Sequence, residues 1–210
     1  MGIQIASADA QLPQSLPPWL EAFERVKIKP AGEYQWPSRG RCVLLYVVDG
    51  VLDLRHGPPG LRRSLPGELV LIRGFDTLRV GNGSHVEELE MYLIAFADEN
   101  PGSKRIVSRY FSDDSKSGVL RLLASKQGEA GSLAHGAAPR LSLTSLGRGD
   151  TVVCEMASSG PGWACAIAGC VSINNAVLDP GDCALISEAE ELRVSARDRG
   201  QLLLIEQQQG

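Results

Sequence analysis

The sequence predicts an all-β fold built as two β-barrels in tandem, and three observations carry that prediction. The segment Leu65-Pro-Gly-Glu-Leu-Val-Leu-Ile-Arg-Gly-Phe-Asp-Thr-Leu-Arg-Val80 returns as Asp179-Pro-Gly-Asp-Cys-Ala-Leu-Ile-Ser-Glu-Ala-Glu-Glu-Leu-Arg-Val194, aligned without a gap at an offset of 114 positions. Each copy is preceded by an apolar run ending in glycine, Cys42 to Gly50 and Trp163 to Gly169. Each is followed by another, Met91 to Phe96 and Gln201 to Ile205. The composition agrees, since 23 Gly and 12 Pro among 210 residues suit many short strands joined by turns,. No stretch shows sustained helical periodicity, so any helix is short.

Taken in order, residues 1–22 read as a polar N-terminal arm with Pro13, Pro17 and Pro18, which packs on the body through Trp19 and Leu20. Residues 23–97 read as the first barrel. Phe23 to Ile28 alternates, Arg41 to Val48 is rich in β-formers, and Val51 to Leu54 returns after Asp49-Gly50. Glu68 to Arg73 follows the Pro66-Gly67 turn, and Leu89 to Phe96 closes the unit,. Residues 98–117 read as a linker, charged and punctuated by Asn100-Pro101-Gly102 and Asp113-Asp114-Ser115, with an ordered apolar piece from Ile106 to Phe111,. The second barrel, 118–206, is expected to run through Val119 to Ala124, Arg140 to Leu146, Thr151 to Met156, Ala164 to Val171 and the second repeat; 207–210 form a tail.

The turn that opens each repeat has a physical task. Proline fixes φ, glycine takes a conformation barred to other residues, and the acidic side chain after it bonds the turn backbone before the chain enters a strand. Strands apolar on both faces, such as Val43 to Val48 and Leu69 to Ile72, must be covered on both sides, which calls for a barrel or sandwich. A chain of this size buries roughly 70% of its unfolded surface and needs no disulfide or metal staple to do so.

Charge excludes some functions. The net charge is -4, and the basic residues are scattered apart from small groups such as Arg39 with Arg41 and Arg62 with Arg63. No basic stripe interleaved with aromatics is present, so direct nucleic-acid binding is not expected. No apolar run approaches the roughly 18 residues of a membrane span, and no signal-like segment opens the chain, so it reads as cytoplasmic. Five cysteines, Cys42, Cys154, Cys165, Cys170 and Cys183, form an odd set without a CxxC pair. They read as reduced thiols in apolar strands; the alternative is a soft-metal or redox site of Cys154, Cys165 and Cys183.

The run Ala31-Gly-Glu-Tyr-Gln-Trp-Pro-Ser-Arg-Gly-Arg-Cys-Val-Leu-Leu-Tyr-Val-Val-Asp-Gly50 resembles the first motif of the pirin-like bicupins. That motif reads approximately Ala-Gly, three variable residues, His-Pro-His-Arg-Gly-Phe-Glu, then a strand ending Tyr-Val-Leu-Glu-Gly. Ala31, Gly32, Pro37, Arg39, Gly40, Tyr46, Val47 and Gly50 fall in step. Gly131-Ser-Leu, Arg140-Leu-Ser-Leu, Trp163, Asp179-Pro-Gly-Asp182 and Gln201-Leu-Leu-Leu-Ile205 similarly resemble the family's C-terminal cupin. The resemblance implies two jelly-roll barrels packed face to face. One would bear a metal, usually iron, on three histidines and a glutamate. It also implies oxygen-dependent cleavage of quercetin, or metal-dependent binding to transcription factors, as activities.

This chain departs from the pattern where the metal would sit. Trp36 and Ser38 stand at the two His positions and Cys42 at the Glu position. The remaining His would fall between Thr77 and Val80, where the chain has none. His56, His85 and His135 lie in three separate loops and read as solvated or loop-capping residues rather than ligands. A hydroxyl and one thiol do not replace three imidazoles, and without a metal the dioxygenase reaction loses its oxygen-activating centre.

The first reading of Trp36, Ser38 and Cys42 is that they only stabilise the barrel. The alternative, and the candidate site, is a small-molecule pocket of Trp36, Ser38, Cys42, Thr77 and Val80, with Trp36 as a stacking wall and Ser38 and Cys42 as polar contacts; reactive-thiol chemistry at Cys42 is a third, without a nearby base to lower its pKa. No catalytic residue, metal ligand or cofactor is assigned. Trp163 reads as core, and Glu87, Glu88, Glu90, Glu188, Glu190 and Glu191 as solvated edge residues. Three functions follow: a metal-free bicupin that binds a small molecule or protein partner without catalysis, a quercetinase-type dioxygenase with unusual ligands, and cofactor-free chemistry such as isomerisation. A homodimer through a strand edge or barrel face is compatible with the architecture.

Overall fold

The computed structural model describes residues 2–6, 16–55, 62–98, 104–137, 139–156, 161–187 and 191–207. They form β1 (Gly2–Ala6), β2 (Ala22–Ile28), β3 (Glu33–Trp36), β4 (Cys42–Asp49), β5 (Leu52–Leu54), β6 (Arg62–Ser64), β7 (Glu68–Arg73), β8 (Leu78–Asn82), β9 (Leu89–Phe96) and β10 (Arg105–Tyr110) in the first half. The second half adds β11 (Arg121–Ser125), β12 (Leu133–Ala134), β13 (Pro139–Leu146), β14 (Thr151–Glu155), β15 (Gly162–Ala168), β16 (Val171–Ile173), β17 (Ala176–Leu178), β18 (Cys183–Ser187), β19 (Glu191–Ala196) and β20 (Gly200–Gln207). Helical structure among the described residues is confined to two single 3-10 turns, Asp114–Lys116 and Glu129–Gly131.

The chain divides into two compact units. The first comprises Leu20–Phe111 and the short segment His135–Ala137. Its two sheets have the orders β10-β7-β4-β9-β2 and β3-β8-β5-β6. The apolar interior lies between them: Val43, Leu45 and Val47 of β4 meet Leu52 and Leu54 of β5 and Leu78 and Val80 of β8, all 2% exposed or less. The second unit has a sheet ordered β1-β18-β15-β20-β13-β11-β12 and another ordered β14-β19-β16-β17. Its interior is lined by smaller residues, among them Ala164, Ala166, Ala184 and Ala196. Both units are jelly-roll barrels of the same plan.

The repeat falls on equivalent strands, β7 with β8 in one unit and β18 with β19 in the other. Both turns behave as their residue types require. Gly67 and Gly181 have φ of 85° and 95°. Glu68 accepts a hydrogen bond from the Leu65 N–H at 2.9 Å, and Asp182 accepts one from the Asp179 N–H at 3.1 Å.

Three departures from the sequence reading have local causes. The chain start contributes β1, an edge strand antiparallel to β18, rather than a polar arm alone; within that arm Leu20 is buried and Trp19 half-buried, while residues 7–15 lie outside the described set. Inside the expected linker, β10 pairs with β7 from Arg105↔Arg73 to Tyr110↔Glu68, and Ile106 packs on the first interior. A free edge of β7 would leave backbone donors and acceptors unpaired, and the unit boundary consequently falls after Phe111,. The run Ala164 to Val171 is two strands, split at Gly169 with φ of 60°. A Cβ there would lie 1.8 Å from the Arg199 carbonyl oxygen, so only glycine fits the break,.

Candidate functional site

Strand alternation sends Tyr34 and Trp36 of β3 inward, opposite Val80 and Leu78 of β8 in the register Tyr34↔Val80 and Trp36↔Leu78. Trp36 is 9% exposed and Val80 1%, so both are part of the packed interior. Glu24 reaches the same region from β2, on the inward face it shares with Val26 and Ile28. Its two carboxylate oxygens are used separately: one accepts the Trp36 indole N–H at 2.9 Å, the other the Tyr34 hydroxyl at 2.8 Å. Burial, and then the hydrogen bond to Glu24, push the Tyr34 phenol above its ordinary range,. Carboxylate, phenol and indole thus brace one another where β2, β3 and β8 converge. Thr77 is half-buried just before β8, on the opposite alternation from Leu78 and Val80.

Ser38 is 1% exposed and donates its hydroxyl to the Phe75 carbonyl at 2.5 Å. It opens a tight turn in which the Ser38 carbonyl accepts the Arg41 N–H at 2.8 Å. The two central residues, Arg39 and Gly40, have φ of 48° and 76°, as a two-residue turn of this hand requires,. Glycine adopts such φ freely, whereas the arginine costs about 1–3 kcal/mol. The turn is clamped from the far side: the Arg39 and Gly40 N–H groups donate to the carbonyls of Asp76 and Phe75 at 2.9 and 3.1 Å.

Cys42 does not join Trp36 and Ser38 in one pocket. On β4 the odd-numbered Val43, Leu45 and Val47 line the interior, so Cys42, Leu44 and Tyr46 point from the opposite face of the sheet,. The Cys42 thiol lies 3.8 Å from the His135 carbonyl oxygen, and burial pushes it up to about 12, with Arg73 pulling weakly the other way. Arg73 and Asp98 form a buried pair beside it, with side chains 7% and 3% exposed. The Arg73 Nε donates to Asp98 at 2.9 Å, Nη2 to the other carboxylate oxygen, and Nη1 to the His135 carbonyl at 3.1 Å.

The histidines separate. His85 is exposed, and His56 lies outside the described residues. His135, expected to be solvated, is 1% exposed; its ring stacks on Phe96 with centroids 5.8 Å apart, and its Nδ1 accepts the Ala137 N–H at 3.2 Å. The capping role holds and the solvated one does not, because Arg73 and Phe96 draw this loop onto the first unit. Trp163 is wholly buried. Of the acidic edge residues, Glu87 and Glu88 are exposed and Glu90 pairs with Arg25, while Glu188 and Glu190 lie outside the described residues.

All five cysteines are free thiols, Cys42, Cys165 and Cys183 buried and Cys170 exposed. Cys165 and Cys183 are cross-strand partners, each directed at the Gly181 carbonyl, on the face away from Ala164 and Ala184. Cys154 instead packs on the second interior, where burial, and after it the charges of Glu206 and Glu191, push its thiol up to about 11. Among the described residues no group of three or more His, Cys, Asp or Glu is placed to hold a metal ion.

Sequence reasoning missed Glu24, Tyr34 and Asn82. Glu24 had a signal, being the charged residue on the apolar face of an alternating strand. Asn82 continues the inward face of β8; its amide donates to the Ile28 and Glu87 carbonyls at 2.9 and 2.7 Å, which ties the β2 exit to the loop before β9. The Arg73–Asp98 pair had none, since nothing local joins residues so far apart in the chain. Sequence also gave no sign of a cleft of about 340 Å³ beside the Ser38–Arg41 turn, lined by Glu21, Arg39, Gly40, Arg41, Ala97 and Asp98.

A double jelly roll whose second half carries the repeat, the strand-opening Trp163 and a closing apolar strand defines a cupin-type protein of two barrels. Residues 122–207 match the family model described as the quercetinase C-terminal cupin domain. The bacterial pirin YhhW from Escherichia coli, solved in complex with nickel(II), superposes with a TM-score of 0.82 at 19% identity, over 99% of this chain and 100% of that one. YhaK from Escherichia coli gives 0.77 at 18% identity, over 99% and 94%. A quercetin 2,3-dioxygenase from Acinetobacter baumannii gives 0.66 at 13% identity, over 89% and 73%. No curated protein sequence matches the chain. Residues 122–207 thus match a quercetinase C-terminal cupin domain, and the chain as a whole has the two-barrel cupin fold of these structures.

Proposed function

We propose that this chain is a non-catalytic member of the pirin-like bicupins, acting by binding a small molecule or protein partner at its surface rather than by metal-dependent oxygen chemistry. The observation that carries the reading is the state of the side chains at the positions the resemblance assigns to metal ligands. Trp36 fills the interior with its N–H committed to Glu24, Ser38 is committed to the Phe75 carbonyl, and Cys42 points from the other face of β4 with its thiol held protonated. Val80 is an apolar member of the same interior. Iron, nickel or zinc requires three or four nitrogen, sulfur or carboxylate donors converging on one point. This donor set does not fit such an ion, so no oxygenase step is derived. Cys42 lies on the face of β4 away from Trp36, and Thr77 on the alternation opposite Leu78 and Val80, which supports the barrel-stabilising reading of these residues.

Elemental analysis after expression with iron, nickel, zinc and copper tests the proposal. The expected result is well below one metal per chain, together with no quercetin consumption above the level of added metal alone. A stoichiometric metal that survives gel filtration, or metal-dependent quercetin turnover, would restore the dioxygenase reading. Cofactor-free chemistry such as isomerisation has no supporting observation here, because both oxygens of the one inward carboxylate at this site, Glu24, are already occupied.

A further inference from the structure

We propose that the cleft beside the Ser38–Arg41 turn binds a small organic monocarboxylate, with Arg39 as the residue that receives the carboxylate. This rests on the reading of the chain as a binding protein and adds the ligand's chemical class and site. The cleft holds about 340 Å³, the volume of roughly ten water molecules, enough for a planar acid of roughly ten non-hydrogen atoms,.

Its charges decide what it accepts. Glu21 is neutralised by Arg41, whose guanidinium also donates to the Pro37 carbonyl at 3.3 Å and stands 5.6 Å from the Trp36 ring centroid. Asp98 is neutralised by the buried Arg73. Both carboxylates facing the cleft are therefore occupied, while no described residue pairs with the Arg39 guanidinium. Among the described residues, the three guanidiniums of Arg39, Arg41 and Arg73 stand against the two carboxylates of Glu21 and Asp98, leaving one positive charge to be met. A monoanion meets it. A phosphate dianion would overshoot it and face Glu21 and Asp98 as well.

The turn holds Arg39 in place. Its backbone is anchored by the Asp76 and Phe75 carbonyls, and Arg39 is exposed at the cleft beside Gly40. Gly40 and Ala97 contribute almost no side-chain bulk to the cleft, which leaves room for a flat group. A guanidinium fork and a carboxylate match in plane and spacing, and that pairing discriminates a carboxylate from an amide of the same shape.

Amide NMR titration of the full chain, kept in chelator, with benzoate, benzamide and inorganic phosphate tests the site. The expected result is saturable shifts at Arg39, Gly40 and Ala97 with benzoate, at a Kd of about 1–10 mM, and none of comparable affinity with benzamide or phosphate. Arg39→Gln should raise the benzoate Kd at least about tenfold. Arg39→Gly should do the same in a variant whose backbone suits the turn better than the native one. Benzamide or phosphate binding as tightly as benzoate, an unchanged Kd in either variant, or no saturable shift up to about 50 mM would overturn the proposal. A metal found bound to a chain that still takes benzoate through Arg39 would sink the metal-free reading and leave this site standing; a metal-free chain without these shifts would do the reverse.

Discussion

Replacing Trp36 separates a filled barrel from an open one. The indole is 9% exposed and its N–H is bonded to Glu24. Burying a ring of about 150–250 Å² at roughly 25 cal/mol/Å² contributes about 4–6 kcal/mol before the compactness of the unfolded chain is discounted. Trp36→Ala should therefore cost about 4 kcal/mol, in the range of other buried aromatic truncations and a large share of a typical domain's stability. Trp36→Phe keeps most of the area and removes only the donor to a half-buried carboxylate, for about 1.5 kcal/mol. Urea unfolding followed by far-UV circular dichroism gives both values, with the m-value showing whether the denatured state has changed. A loss below about 1 kcal/mol for Trp36→Ala at unchanged m would mean that the ring lines open space. In that case the pocket of Trp36, Ser38 and Val80 returns as the ligand site.

Asp98→Asn leaves the Arg73 guanidinium buried without its counter-charge and should cost about 3–5 kcal/mol in the same assay, whereas the double replacement Arg73→Met with Asp98→Leu should cost markedly less. Equal losses in the two would show that shape rather than charge is what this pair contributes. The Cys42 thiol, raised from 9.0 to about 12 by burial, makes stability pH-dependent. Its contribution is complete below pH 9.0, the unfolded value, and is lost as pH rises toward 12, because only the unfolded chain ionises in that window,. By pH 10 the loss should reach about 1.4 kcal/mol, and Cys42→Ala should remove that slope whatever its effect on stability at neutral pH. Parallel slopes for the two proteins would place the thiol in contact with solvent.

Much of the fold was legible because the signals are local or repeated. Two Pro-Gly-acidic turns at a fixed offset marked matching strand pairs, and both acidic side chains bond back to the turn as their chemistry requires. Runs apolar on both faces called for covered sheets, and Glu24 to Ile28 alternated as an antiparallel strand should, while Phe23, of opposite parity, packs against Tyr92. Among the pieces that escaped, β1, β3 and β10 are short or polar, and their existence depends on a partner strand distant in sequence.

For the candidate site, the sequence alone determined which residue types stand where the resemblance would place metal ligands: an indole at Trp36, a hydroxyl at Ser38, a thiol at Cys42, and no histidine between Thr77 and Val80. The tertiary structure decided where those groups point. Alternation along β4 turns Cys42 away from Trp36, and Glu24, arriving on another strand, gives the indole its partner. It also brought Arg73 to Asp98 and opened the cleft at Arg39. Residue identity is carried by the chain one position at a time, whereas direction and proximity follow from strand register and packing between segments far apart in sequence.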